Sequence, residues 1–230
     1  MTTAKTITLS VSQLKAYNAS RAQWAGKYIL WLKDDYKDDA LVLGQLAEIY
    51  LFTGNDEFKL LEGKDLNNKE KLLEEYENIK YNAIWLEFTK WDVQFKVQGN
   101  LLGMPFIGFI DNFNPNLIDD IKTVKYLTNV EDVKDNRNFW SGLSNYEEYE
   151  LQMWVYMKLA NVNKSRIIEV SKHRYKDGKN AHQFIYFELT EDMDKRMVNK
   201  RGPIIWEIEA LYNYYLTNGY LQQDTRGVQE

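Results

Sequence analysis

The 230-residue chain contains no cysteine and only two histidines, His173 and His182. A disulfide framework, a thiolate zinc site, a thiol nucleophile and a cysteine-ligated iron–sulfur cluster are therefore excluded. A histidine-rich zinc or iron site is nearly so, and any bound metal must be held mainly by oxygen, which favours hard divalent ions. Proline is scarce at 3 and glycine modest at 12, with no Pro/Gly/Ser-rich run, so the sequence predicts one domain without a flexible linker. The longest uncharged stretch, residues 97–110, is too short and too interrupted by Gly99, Gly103, Pro105 and Gly108 to cross a bilayer. The opening residues lack the apolar segment of a signal peptide, and the expected location is the cytoplasm. No Gly-x-Gly-x-x-Gly or Walker loop supports a nucleotide cofactor.

What the chain does have is an ordinary globular composition, 44% hydrophobic and 27% charged, with a net charge of -5. That charge does not by itself indicate a nucleic-acid binder. It is unevenly spread: residues 34–39 carry four aspartates, whereas 164–179 hold six basic residues against two acids. The basic segment reads either as a solvated strand and turn or as a face that steers a polyanion. Seven tryptophans and sixteen tyrosines are numerous. Most are expected in the core; Tyr126, Trp140 and Trp154 lie near the informative stretch in sequence without an assigned role.

Hydrophobic periodicity and turn residues predict helices over 11–32 (one or two, capped by Ser10), 40–53 (buried, stopped by Gly54) and 67–86. Strands follow at 91–97, 104–113 and 117–124, with turns at Gly99-Asn100 and Asn114-Pro115-Asn116. A helix at 145–160, strands at 166–175 and 183–189 flanking Asp177-Gly178, and a helix from Glu191, broken near Gly202-Pro203, complete the chain. The expected class is α/β with a mixed central β-sheet and flanking helices. A helical N-terminal part spans about 10–88, sheet and helices about 89–218, and a polar tail 219–230.

The stretch from Gly108 to Thr123 carries the chemistry. Folded as a hairpin about Pro115, it places Asp120 and Lys122 on one face, with Ile121 in the core and Asp111 within reach on the neighbouring strand. Two aspartates can hold a divalent ion that polarises a phosphodiester, and an adjacent lysine can orient or help deprotonate the attacking water. An exposed strand edge with cross-strand ion pairs would give the same tripeptide. Glu48 sits in an apolar helix, where a carboxylate needs a partner, either a metal ion or a nearby Lys, Arg or Tyr. Gly44, one turn earlier, leaves room for an approach to the backbone. Gln152 and Tyr156 share a helix face and can position water or phosphate oxygens, or else form a surface pair.

Together, the order Ser10-x-Ser12-x-Leu14-x-x-Tyr17, Gly44-x-x-x-Glu48, Gly108-x-x-Asp111, Asp120-Ile121-Lys122-Thr123 and Gln152-x-x-x-Tyr156 resembles the RecB-like nucleases of the PD-(D/E)XK superfamily. The resemblance implies a restriction-endonuclease-like core and a stand-alone, phage-type exonuclease. It makes Asp111, Asp120, the Ile121 carbonyl and Glu48 metal ligands for Mg2+ or Mn2+, and Lys122 the catalytic lysine. Gln152 and Tyr156 match the motif typical of the RecB branch, and Ser12 and Tyr17 the opening helix, structural or DNA-facing. Glu48 stands where these nucleases most often have histidine, and cluster-building cysteines are missing. The implied substrate is DNA, processed in phage recombination in the host cytoplasm, with a single-strand annealing protein and a homo-oligomer as possible partners. An endonuclease on the same scaffold and a non-catalytic DNA-binding or scaffold protein are the alternatives.

Overall fold

The structure is a computed structural model that describes residues 7–30, 39–56, 68–128, 142–175 and 180–218. Most of the aspartate run, Trp140, the Asp177-Gly178 turn and the polar tail lie outside the described residues. The fold is α/β, a five-stranded mixed sheet of order β1-β2-β3-β4-β5 with helices, as the sequence predicts. The chain divides into two compact units, one drawn from 1–35, 98–108 and 190–230, the other from 36–97 and 109–189.

In the first unit α1 (Val11–Ala19) is followed by α2 (Arg21–Tyr28). Ser10 caps α1 in a reciprocal box with Gln13, each side chain serving the other's backbone N–H at 3.2–3.3 Å. Of the one or two helices expected over 11–32, two form, parted at Ser20: its N–H closes α1 on the Ala16 carbonyl, and its Oγ accepts from Gln23 N to open α2. Tyr17 is buried edge-on against the fully buried Trp24, at 5.2 Å.

Between β1 (Asp92–Leu101) and β2 (Met104–Asn114) the turn is not Gly99-Asn100, which lies inside β1, but Leu102-Gly103. Both residues have positive φ, +54° and +88°, the backbone of a type I′ hairpin turn whose twist matches the strands. The last helix among the described residues, α6 (Glu191–Thr217), is capped by Thr190 and runs unbroken through Gly202-Pro203. Pro203 and Asn199, whose carbonyl loses its helical donor, are both exposed, so water can satisfy the freed acceptor.

The second unit contains α3 (Asp39–Thr53), α4 (Lys69–Ala83), β3 (Leu117–Val124), α5 (Gly142–Ala160), β4 (Lys164–Ser171) and β5 (His182–Glu188). β3 pairs antiparallel with β2 and parallel with β4, and β4 antiparallel with β5. Alternation sorts the side chains of β3 and β4 into two faces. Ile121, Ile168 and Val170 pack on Leu43, Leu46, Ala47 and Phe52 of α3 and on Leu72, Tyr76 and Ile79 of α4. Ser165, on the other face, meets Met157 of α5.

Three expectations are corrected here. Helix α3 is not buried all round: Leu41 and Ile49 are exposed, because only one side of it packs on the sheet and α4. The first half of β1 is exposed rather than half-buried; it is an edge strand, and Phe95 lies stacked on Phe113 at 4.1 Å. Strand β4 ends at Ser171 rather than Tyr175, since the chain there turns onto α4, where Asn82 Nδ2 donates to the Ser171 and His173 carbonyls at 2.9 and 2.7 Å.

Candidate active site

The site forms where β2 and β3 part. Their ladder pairs Asn114 with Leu117, Phe113 with Ile118 and Asn112 with Asp119. Two residues past Asp119, the backbone amide of Ile121 donates to the Asp111 carboxylate, Oδ2, at 2.8 Å. The buried N–H is thus satisfied by a side chain where the strands diverge. Asp111 is thereby fixed in the gap, beside Asp120 and Lys122 on β3.

Helices from both faces of the sheet reach this gap. From the α5 face, Gln152 Nε2 donates to Asp120 Oδ1 at 2.6 Å and lies 3.5 Å from the Tyr156 hydroxyl. From the other face, Glu48 of α3 accepts from the Gln94 side-chain amide, which also donates to Asp111 Oδ1 at 3.2 Å. Lys122 Nζ pairs with Asp120 Oδ2. The structure therefore gathers Glu48, Asp111, Asp120, Lys122, Gln152 and Tyr156 in one place, with the Ile121 amide as part of the frame. Ser12 and Tyr17 belong to the other unit, where Tyr17 is a packing residue. A Cβ at Gly44 would meet open space, so the helix surface one turn before Glu48 is free of close neighbours.

Burial and the neighbouring charges shift the proton affinities of Asp111, Glu48, Lys122 and Tyr156. Burial first, then the Asp120 and Glu48 charges, raise the Asp111 carboxyl well above the usual aspartate range, against the opposing pull of Lys122 and the Ile121 amide. Burial also raises Glu48, against the Gln94 bond, and Asp120 adds to the rise. For Lys122 burial works to release the proton, but the carboxylates of Asp120, Asp111 and Glu48 outweigh it, and the amine is held as an ammonium. Burial and the charges of Asp120 and Asp111 keep the Tyr156 phenol protonated.

The donor set suits a hard divalent cation: carboxylate oxygens with an unfavourable excess of negative charge, raised proton affinity at Asp111, and one amide hydrogen donor, Gln94, holding Glu48 and Asp111 together. Among the described residues no group of three His, Asp or Glu side chains is arranged as a complete metal cluster.

Several contributors are not apparent in the sequence. Gln94 owes its direction to a backbone φ of +53°, which breaks the alternation of β1. Glu169, the Cα partner of Lys122 on β4, is fully buried and accepts from Thr128 N and Oγ1, Tyr149 OH and Gln183 Nε2 at 2.6–2.9 Å. It ties α5, the chain leaving β3, and β5 together beside the site through hydrogen bonds from uncharged groups. Asn112 donates to the Asp119 carboxylate at 2.9 Å, and Arg166 closes on the same group with two bonds of 2.6 and 3.0 Å. Arg166 is therefore committed to the sheet and is no open member of the basic segment. Trp154 is a core residue.

Comparison with known proteins agrees with this architecture. A candidate exonuclease from Eubacterium rectale, 17% identical, superposes with a TM-score of 0.57 over 94% of this chain and 83% of its own, which shows a shared fold. A phage-related exonuclease from Haemophilus somnus, 12% identical, aligns over 93% of this chain and 97% of its own with a TM-score of 0.47. No curated protein matches the sequence. Among the described residues no helix is long and apolar enough to cross a membrane. A family profile matches residues 10–200, a span holding every residue of the gap, and the chain belongs to that family, the PDDEXK-like domain of unknown function (DUF3799).

Proposed function

We propose that this protein is a Mg2+- or Mn2+-dependent deoxyribonuclease, an exonuclease of the RecB-like, phage-type branch that trims DNA ends during recombination or processing. The observation that carries the reading is the convergence of Glu48, Asp111, Asp120 and Lys122 in the gap between β2 and β3, with Gln152 fixing Asp120 from a second helix. Asp111 and Asp120, with the Ile121 carbonyl and Glu48, would hold the metal. The cation supplies positive charge against the phosphodiester and lowers the pKa of water.

The chain's own groups do the rest. Hydrolysis joins a water oxygen to phosphorus, breaks one P–O ester bond and sends a proton to the departing oxygen. Lys122, an ammonium, donates to a phosphate oxygen and offsets the charge that builds there. Gln152, its amide also 3.5 Å from the hydroxyl of the neutral Tyr156, keeps Asp120 oriented. A ring or other homo-oligomer and an annealing-protein partner fit such an enzyme.

The test is incubation of the purified protein with each metal and a mixture of end-labelled linear duplex and closed circular DNA, beside Lys122→Ala. Loss of the linear DNA alone, abolished by the substitution, is expected. Nicking of the circle would instead identify an endonuclease. Inertness towards both DNAs and towards single strands, with DNA binding intact, would identify a binding protein on a nuclease fold.

A further inference from the structure

Beyond the gap, the two parallel strands β3 and β4 run out side by side. The Lys172 amide donates to the Val124 carbonyl at 2.8 Å, and Ser171 Oγ lies 3.4 Å from the Lys125 carbonyl, so the residues that follow each strand emerge together. Tyr126 follows β3 and is 67% exposed, a large ring with little packing to explain it. His173 follows β4, and its ring lies 5.3 Å from that of Tyr126, tilted by 40°. Lys125 Nζ stands 5.3 Å from the Tyr126 ring. The Arg174 guanidinium lies 4.1 Å over the Tyr81 ring. Lys172 is mostly buried and pairs with Glu75 at 3.9 Å, so its charge is met within the fold. On a chain of net charge -5, Lys125 and Arg174 are exposed cations at the same strand end as two neighbouring exposed rings.

We propose that Tyr126 and His173, flanked by Lys125 and Arg174, form a platform for unpaired nucleotides of a DNA strand, an inference that rests on the nuclease reading and assigns its substrate. Cations alone would serve a duplex, whose bases are already stacked on one another. Exposed rings beside cations serve a strand whose bases are free to stack while its phosphates meet positive charge. Tyr126 lies four residues past Lys122, at most about 13 Å along an extended strand. A single strand held at Lys122 therefore has its next few nucleotides over these rings, and the enzyme prefers ends with unpaired bases to flush ones.

The experiment measures binding of labelled oligo(dT) and of a blunt duplex to the full chain by fluorescence anisotropy in EDTA, so that no cleavage intervenes. Wild type, Tyr126→Ala, Tyr126→Phe and Arg174→Ala are compared, with cleavage assayed separately in metal. Expected are a loss of oligo(dT) affinity of about 5- to 100-fold in Tyr126→Ala, retention in Tyr126→Phe, and unchanged duplex binding. Arg174→Ala is expected to lower the salt slope by about 1. Oligo(dT) binding by Tyr126→Ala equal to wild type would overturn the platform, as would a wild type with no affinity for oligo(dT); persistent Lys122-dependent cleavage in either case would leave the nuclease reading standing. Loss of oligo(dT) binding in Tyr126→Ala without any cleavage by wild type would uphold the platform and overturn the nuclease.

Discussion

Gln152 donates its side-chain amide to Asp120 Oδ1 at 2.6 Å across 32 positions of sequence, leaving Oδ2 to Lys122. One carboxylate is thus shared between a helix amide and a strand ammonium. Gln152→Leu removes the amide and leaves a buried acceptor unpaired, at a cost of about 1–3 kcal/mol. Cleavage is expected to fall about 10- to 100-fold, as for other groups that orient a metal ligand. Urea denaturation and a timed digestion check the two effects separately.

Metal binding is expected to relieve the crowding of Glu48, Asp111 and Asp120. A cation bound only by the folded state, at a concentration a hundred times its dissociation constant, adds about 2.7 kcal/mol of stability. A rise in melting temperature with Mg2+ or Mn2+, lost in Asp120→Asn, is the expected outcome. An equal rise in the variant would place the cation elsewhere.

The Arg166–Asp119 pair is buried at its acidic end, and Asp119 is fully inaccessible. Arg166→Ala strands that carboxylate and is expected to cost about 3–5 kcal/mol in urea denaturation. The double variant with Asp119→Asn is expected to recover a large part of the loss. Simple additivity would show that the two groups do not act as a pair.

Burial lowers the pKa of His182, whose Nδ1 has no hydrogen-bond partner among the described residues. The neutral ring is favoured in the folded chain, so the unfolded chain takes up more protons as pH falls below the ordinary value of 6.5. His182 therefore contributes stability above that pH that disappears as pH drops towards the lowered folded value. The difference in unfolding free energy between wild type and His182→Phe should shrink or change sign on going from pH 7.5 to pH 5. A difference independent of pH would contradict it.

Gly103→Ala places a side chain at φ +88° and is expected to cost about 1–2 kcal/mol, whereas Gly99→Ala, in the exposed body of β1, is expected to cost nothing measurable. Thermal unfolding of the two variants distinguishes the turns directly.

That pair of glycines also shows where sequence stops informing. Gly99-Asn100 has the residues a tight turn uses, but the chain reverses at Leu102, a residue type with no affinity for positive φ. The closure is set by pairing along the strands, which local composition does not encode. The hairpin holding Asp111, Asp120 and Lys122 was legible because its turn residues and its alternation agree with each other. Gln94 and Glu169 were not. Gln94 reads as a polar residue of an alternating strand, and its partners lie 46 and 17 positions away. Glu169 reads as a solvated strand acid until its four donors, from β5, α5 and the chain beyond β3, are brought round it. Arg166, counted with a basic surface run, belongs to Asp119 for the same reason: the parallel register of β3 and β4 sets them side by side.

The alternation of β3 has a consequence for folding fidelity. Asp120 and Lys122 face α5 and the gap, while Ile121 between them enters the apolar layer against α3 and α4. A slip of one residue along β4 would drive a carboxylate and an ammonium into that layer and expel the isoleucine. The charges that equip the site thus also proofread the sheet: a misaligned chain pays the full desolvation penalty of both. A molecule in which these groups reach the gap has already assembled its central strands in the productive alignment.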